Sequence, residues 1–307
     1  PVFADVDPDT LLLDPAKVEE KITKKTKAII GVDYAGQPCD WDSLREIAGK
    51  HKLRLVADGC HALGAEYKGC KVGSLADMTI FSFHPVKHIT TGEGGAVLTN
   101  DEILYKKLKR LRSHGISNTP GEFVYKDQAF GNSSFVGLQS AIENPQLVNP
   151  WYYEQVDLGY NYRITDIQCA LGISQLRKLH DFCNRRQEIA NMYNEAFSGI
   201  ESIQIPFESE DCSSNFHLYV LLFDFRQIGI ERTKLMIELK QRGIQTQVHY
   251  IPVHTQPFYQ ERFGTKWGDC PNAEIYYQKC LSFPLFPAMS DIDVEYVIST
   301  ILWCWQR

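Results

Sequence analysis

No run of this chain approaches the ~20 consecutive apolar residues that a helix needs to cross a bilayer. No secretory leader pattern is visible within it either, so no membrane role is expected. Basic residues are in the minority: 32 Lys and Arg stand against 38 Asp and Glu, for a net charge of −6 and a pI near 5.9. A nucleic-acid backbone would find no general attraction here, which leaves small anionic ligands held by local donors. The nine cysteines, at 39, 60, 70, 169, 183, 212, 270, 280 and 304, form no CxxC pair, and their number is odd. Reduced thiols in a cytoplasmic protein are expected, without a disulfide or zinc framework. P-loop and GxGxxG fingerprints are missing, which argues against nucleotide hydrolysis and a dinucleotide cofactor. Internal repeats and low-complexity tracts are missing as well. What remains is ordinary globular composition, 307 residues with 44% hydrophobic and 23% charged, enough for one large or two medium domains.

The first hundred residues alternate strand and helix signals. Residues 2–6 are strand-like. Asp14 followed by Pro15 is an N-cap and first-turn proline, and Val18 and Ile22 follow at helical spacing. A short apolar run over 27–32 predicts a strand. Asp40 caps a second helix with Leu44, Ile47 and Ala48 on one face. Strands are predicted over 53–57 and 78–83, and a turn into another over 94–99. Such alternation indicates an α/β layer with a largely parallel sheet. Residues 115–150 carry many Asn, Ser, Gly and Gln with no period, and read as a long loop. Beyond them, 164–197 is helical, as one helix or two broken near Gly172 or His180. Strands are predicted over 216–223 and 243–249, and helices over 233–242, 273–280 and 291–303. This second half reads as a smaller α+β domain, giving a division into 1–163 and 164–307.

Asp58 directly follows the strand over 53–57. In open α/β sheets ligands bind beyond the carboxyl ends of strands, which is where this acid stands. Taken alone, it equally caps a turn before Gly59. Lys87 lies in Phe81-Ser-Phe-His-Pro-Val-Lys87-His-Ile-Thr-Thr-Gly-Glu-Gly-Gly95, where a buried strand runs into proline, lysine and a glycine-rich turn. A lysine in so apolar a setting either packs by its stem or has a lowered pKa, and the latter suits Schiff-base chemistry. The two together match what pyridoxal phosphate requires: a lysine to bind it and shuttle a proton, and a carboxylate for the pyridine nitrogen. Ser82 and the glycine-rich turn are local phosphate donors. In His249-Tyr-Ile-Pro-Val-His254, Pro252 breaks any helix that would align the two histidines on a metal, and a substrate-facing polar turn is expected instead.

These runs resemble the DegT/DnrJ/EryC1/StrS family of PLP-dependent sugar aminotransferases, through Asp58-Gly-Cys-His61-Ala-Leu-Gly-Ala and the Lys87 segment quoted above. Further matches are Leu111-Arg-Ser-His-Gly115, Gly159-Tyr-Asn161-Tyr-Arg-Ile-Thr-Asp-Ile-Gln-Cys-Ala-Leu-Gly172 and Gln247-Val-His-Tyr-Ile-Pro-Val-His254. Asp33-Tyr-Ala-Gly-Gln-Pro38 and Pro150-Trp-Tyr-Tyr-Glu-Gln155 resemble the branch that aminates UDP-2-acetamido-2,6-dideoxy-beta-L-arabino-hexos-4-ulose on the route to pseudaminic acid.

The resemblance implies the aspartate-aminotransferase type of fold (PLP fold type I). This has a three-layer α/β domain with a seven-stranded sheet and a smaller α+β C-terminal domain. It implies Lys87 as the cofactor-binding lysine and proton shuttle, Asp58 at the pyridinium nitrogen, and His61 near the ring and its 3-oxygen. Ser82 would donate to the phosphate, and Asn161 would reach the phosphate of a neighbouring subunit in a homodimer with shared sites. His249, Tyr250 and His254 would face the nucleotide-sugar. Glutamate is the implied amino donor and a UDP-linked 4-keto-6-deoxy sugar the acceptor, with no metal. Family members with histidine at the lysine position are dehydratases, so Lys87 favours transamination. Pro1-Val-Phe-Ala-Asp-Val-Asp7 resembles the family's mid-domain strand, so a large domain truncated at its N-terminus is expected, without the family's Ser-Gly-Thr phosphate turn. Two other readings stay open on the sequence: a catalytically impaired or regulatory relative, and an aminotransferase for a different keto-sugar.

Overall fold

A computed structural model describes residues 1–125, 128–129 and 149–305. The chain divides into two compact units, one of Pro1–Leu98 with Ile167–Arg307, the other of Thr99–Asp166. Most of the stretch expected to be a long loop lies outside the described residues.

The first unit opens with α1 (Pro15–Lys21). The Asp14 carboxylate caps it, accepting from the N–H groups of Ala16 and Lys17 at 2.8 and 3.4 Å. Strand β1 (Ala28–Val32) leads through a turn to α2 (Trp41–His51), capped by Asp40 through Ser43 N–H. Strand β2 (Arg54–Asp58), the short pair β3 (Glu66–Tyr67) and β4 (Cys70–Lys71), then β5 (Met78–Ser82) and β6 (Gly95–Leu98) follow. The main sheet has the order β1-β2-β5-β6, with β1, β2 and β5 parallel and β6 antiparallel on β5. It carries four strands among the described residues, against the seven that the resemblance implies. Alternation places Ile29, Leu55 and Ala57 in a core with Trp41 and Leu44. Gly31 lets α2 approach, since a Cβ there would lie 2.9 Å from the Trp41 ring. Leu44 is fully buried, and its truncation to alanine would cost about 2–5 kcal/mol.

The predicted strand over 2–6 is not formed; only the bridge Val6–Leu13 is present. The Asp5 carboxylate here accepts from Asn272 and Ala273 N–H at 2.9 and 3.1 Å and so caps a distant helix.

The second unit holds α3 (Glu102–Arg112), capped by Asp101, and the antiparallel pair β7 (Ile116–Ser117) and β8 (Glu154–Gln155). Arg110 joins Asp157 at 2.7 Å and Glu122 at 3.1 Å. Gly115, at φ +73°, must be glycine: a Cβ would sit 1.8 Å from the Asp157 carbonyl.

The chain then re-enters the first unit. Two helices form where one or two were expected, α4 (Asp166–Leu176) and α5 (Leu179–Phe197). Short strands β9 (Ile203–Gln204) and β10 (Cys212–Ser213) precede β11 (Tyr219–Phe223). Helices α6 (Phe225–Ile228), α7 (Arg232–Gln241), α8 (Pro257–Phe263) and α9 (Pro271–Lys279), strand β12 (Cys280–Phe283) and α10 (Asp291–Trp305) complete the order. The sheet β12-β11-β9 is antiparallel and β11 is buried along its whole length. Tyr219, Leu221 and Phe223 pack in one cluster with residues of α5, α7 and α10, while Val220 and Leu222 share another with Tyr276 of α9. That double burial explains why its sequence is an unbroken apolar run rather than an alternating one. The strand predicted over 243–249 reduces to one bridge, Gln247–Ser282. The Gln247 side chain takes the Val248 N–H at 3.0 Å, competing with further ladder pairing. Among the described residues no helix is long and apolar enough to cross a membrane.

Candidate active site

Because β1, β2 and β5 run parallel with Val32 beside Asp58 and Asp58 beside Ile80, their carboxyl ends share one edge of the sheet. Asp33, Asp58 and Ser82 stand at that edge, and the turns beyond carry Tyr34, His61 and Lys87. Asp58 accepts from Cys60 N–H at 3.1 Å. Its backbone carbonyl takes the Asp33 N–H at 3.0 Å, pinning the two strand ends together. Ser82 Oγ accepts from His84 N–H at 3.3 Å, and its own proton goes to no acceptor among the described residues.

Lys87 sits in a turn closed by its N–H to the His84 carbonyl at 2.9 Å. The flanking segment is tied by Thr91 N–H to Phe83 O and by Phe83 N–H to Gly94 O, at 3.0 and 2.8 Å. The Lys87 amine makes no hydrogen bond or ion pair among the described residues, although the residue is half-buried. Burial lowers its pKa, with Cys60 and Asp58 pulling the other way. A neutral amine is the nucleophilic form, so the setting suits covalent chemistry at Nζ.

The groups around it respond to its charge. Burial brings the His61 pKa down to about 3, with Lys87 the next cause. His249 is lowered by burial and then by Lys87. Burial raises the Tyr250 hydroxyl, with Asp58 adding to it, and Cys60 is pushed up to about 12 by burial and then Asp58. The His61 and Tyr250 rings lie 6.3 Å apart, and Tyr34 stands 6.0 Å from His61. Asp58, His61, Lys87, His249 and Tyr250 thus share one neighbourhood.

His254 is not in that group. It is buried, with Nε2 2.8 Å from the Glu274 carboxylate, which also accepts from Gly268 and Cys270 N–H. Asn161 belongs to the unit of Thr99–Asp166, where it bridges Ser113 and is exposed. No group of three or more His, Cys, Asp or Glu among the described residues could hold a metal.

Sequence reasoning missed a hydroxyl pair. Tyr34 and Tyr276 lie 2.5 Å apart, and each also lies 2.8 Å from the His249 carbonyl. Burial raises the pKa of both hydroxyls, which holds them protonated. The pair moors the His249–Tyr250 segment to the turn after β1. The position of Tyr34, just past the end of the first parallel strand, was the available signal.

Pyridoxal phosphate asks for an amine free to bond, a carboxylate and phosphate donors. An uncommitted Lys87 amine, Asp58 at the neighbouring strand end and the unassigned proton of Ser82 fit that set.

The model of the DegT/DnrJ/EryC1/StrS aminotransferase family matches residues 1–302. Spore coat polysaccharide biosynthesis protein SpsC of Bacillus subtilis (strain 168) is 41% identical over 302 residues, covering 98% of this chain and 72% of that protein. Among solved structures, Helicobacter pylori PseC, an aminotransferase involved in the biosynthesis of pseudoaminic acid, superposes with a TM-score of 0.85 at 32% identity. The match covers all of this chain and 74% of that one. The putative sugar aminotransferase Spr1654 of Streptococcus pneumoniae, in its PLP form, gives 0.83 at 30% identity over 100% and 75% of the two chains.

Proposed function

The chain belongs to the DegT/DnrJ/EryC1/StrS aminotransferase family, whose members depend on pyridoxal phosphate, and from that premise we propose that it aminates a nucleotide-linked keto-sugar. The acceptor we assign is a UDP-linked 4-keto-6-deoxy sugar, with glutamate as amino donor, in the cytoplasm. The likeness to PseC supports this choice of acceptor. The observation that carries the reading is the half-buried, uncommitted amine of Lys87 in one neighbourhood with Asp58.

When bound, pyridoxal phosphate supplies an electron sink for the carbon that loses a proton. Lys87 would hold the cofactor through its amine and, once released, would move the proton from one carbon to another. Asp58 would pair with the ring nitrogen and keep it protonated. Ser82 would donate from its hydroxyl to the phosphate, and the side-chain amide of Asn161 would donate to it from a second copy of the chain. His61 would stand near the ring and its 3-oxygen. His249 and Tyr250 would face the sugar nucleotide, while the ring of His254 is taken up by Glu274.

A homodimer is part of this proposal. It draws support from the exposed Trp151, Tyr153, Leu158, Tyr160 and Tyr162 of the second unit. The test is to incubate the protein with pyridoxal phosphate, glutamate and a panel of nucleotide keto-sugars, with mass detection of the amino product. Amination of the UDP-linked 4-keto-6-deoxy sugar above the others supports the assignment. Product from another sugar alone would replace the substrate, and no product from any would remove the activity.

A further inference from the structure

Three imidazoles pack together beside Lys87. The His61 and His217 ring centroids are 4.3 Å apart with a 37° tilt, and those of His217 and His88 are 5.2 Å apart. All three residues are buried. The His61 tautomer follows from its partner: Nδ1 accepts the Ala35 N–H at 3.3 Å, so a neutral ring carries its proton on Nε2. Ala35 has a left-handed φ of 57°.

His217 is fixed by contacts independent of His61. Arg186, itself buried, donates from Nη1 to the carbonyls of Phe216, His217 and Leu285 at 3.2, 3.2 and 2.8 Å. On the other side Asn215 N–H and Leu218 N–H bond to the carbonyls of Gly36 and Ala35, both at 3.3 Å. The Asn215 side chain donates to Leu63 O at 2.9 Å. Gly36 leaves room for this contact, since a Cβ there would meet Asn215 Oδ1 at 2.1 Å. The segment carrying His217 is therefore clamped to the turn after β1 and to the turn after β2.

We propose that His217 is a positioning residue: held from both sides, it packs against His61 and keeps that ring as a neutral Nε2–H donor beside Lys87. The inference rests on the proposed function only for what the Nε2–H faces. The charged and titratable groups around His61 are Asp58, Lys87, His88, His217, His249, Tyr34 and Tyr250. An imidazole of ordinary basicity among them would compete with Lys87 for the proton that Lys87 has to move. A buried neutral one keeps a constant hydrogen-bonding role.

The test uses the full chain with 15N-labelled histidine, as wild type and as His217→Ala, His217→Phe and His217→Asn. In the wild type, His61 should show the Nε2–H tautomer and stay neutral down to about pH 4.5. His217→Phe should preserve both, because a flat ring still covers His61. His217→Ala should admit water and raise the proton affinity of His61 by about tenfold or more. Should His217→Ala fail to fold, His217→Asn, too small to cover the ring, makes the same comparison with His217→Phe. Unchanged His61 titration in the folded Ala and Asn variants would overturn the proposal, as would an Nδ1–H tautomer in the wild type. Added pyridoxal phosphate separates the two layers. A protein that never develops a visible band loses the cofactor reading and leaves the His61 result standing. A band whose pH profile is the same in all variants overturns the link between His217 and the cofactor.

Discussion

Removing the hydroxyls of Tyr34 and Tyr276 together should cost more than removing each alone. Two protons serve three contacts: hydroxyl to hydroxyl, and each hydroxyl to the His249 carbonyl. In Tyr34→Phe the Tyr276 hydroxyl still donates to that carbonyl, and the reverse holds in Tyr276→Phe. Each single change therefore removes about one net hydrogen bond, about 1 kcal/mol. The double variant leaves the carbonyl with neither donor, adding about 1–2 kcal/mol beyond the sum of the singles. Thermal melts should fall by about 1.5 °C for each single and about 5–6 °C for the double. In the same variants the KM for the keto-sugar should rise, because the His249–Tyr250 segment loses its mooring. A double variant that equals the sum of the singles to within about 0.3 kcal/mol would refute the shared-carbonyl geometry.

Asp33 supplies a pH test. Burial raises its pKa to about 7, while Cys39 N–H and Trp41 Nε1–H are its partners at 2.9 and 3.0 Å. An acid raised on folding adds stability fully present below its unfolded pKa and lost as pH rises towards 7. Asp33→Asn keeps the acceptor oxygen without the charge, so it should be more stable than wild type at pH 8 by roughly 2–4 kcal/mol. The gap should close near pH 4, and denaturant midpoints across that range decide it; a gap that stays constant would count against the buried acid. Glu274→Ala strips the acceptor from His254, Gly268 and Cys270, and should cost about 3 kcal/mol or more in unfolding experiments. The keto-sugar KM of the folded fraction should stay within about twofold of wild type; a larger rise would return His254 to the substrate site.

Much of the site edge was legible because it depends on local signals. Asp14-Pro15 and Asp40 are caps whose side chains bond within their own first turns, so the helices start where those residues predict. Strands β1, β2 and β5 are short apolar runs in the sequence, and that is enough to place Asp58 and Ser82 at strand ends. What was not legible depends on partners distant in the chain. Asp5 leaves its expected strand to cap α9, at a sequence separation of 267 residues. Strand β11 begins at Tyr219 rather than at 216, because Phe216 takes a left-handed φ of 45° and Arg186 claims the carbonyls of Phe216 and His217. His217 reads in sequence as one more strand residue, and only the clamp turns its ring onto His61. Tyr276 likewise reads as one face of a helix, and its role needs Tyr34 from the opposite end of the chain.

The most direct measurement concerns which amine takes the cofactor. The protein is mixed with pyridoxal phosphate, reduced with borohydride and digested, and the peptides are weighed. The expected result is a single peptide, the one containing Lys87, heavier by the reduced pyridoxyl phosphate, with no such peptide from Lys87→Ala. A tag on another lysine, or an untagged digest from the wild type, would contradict the assignment of Lys87 and Asp58 to one cofactor.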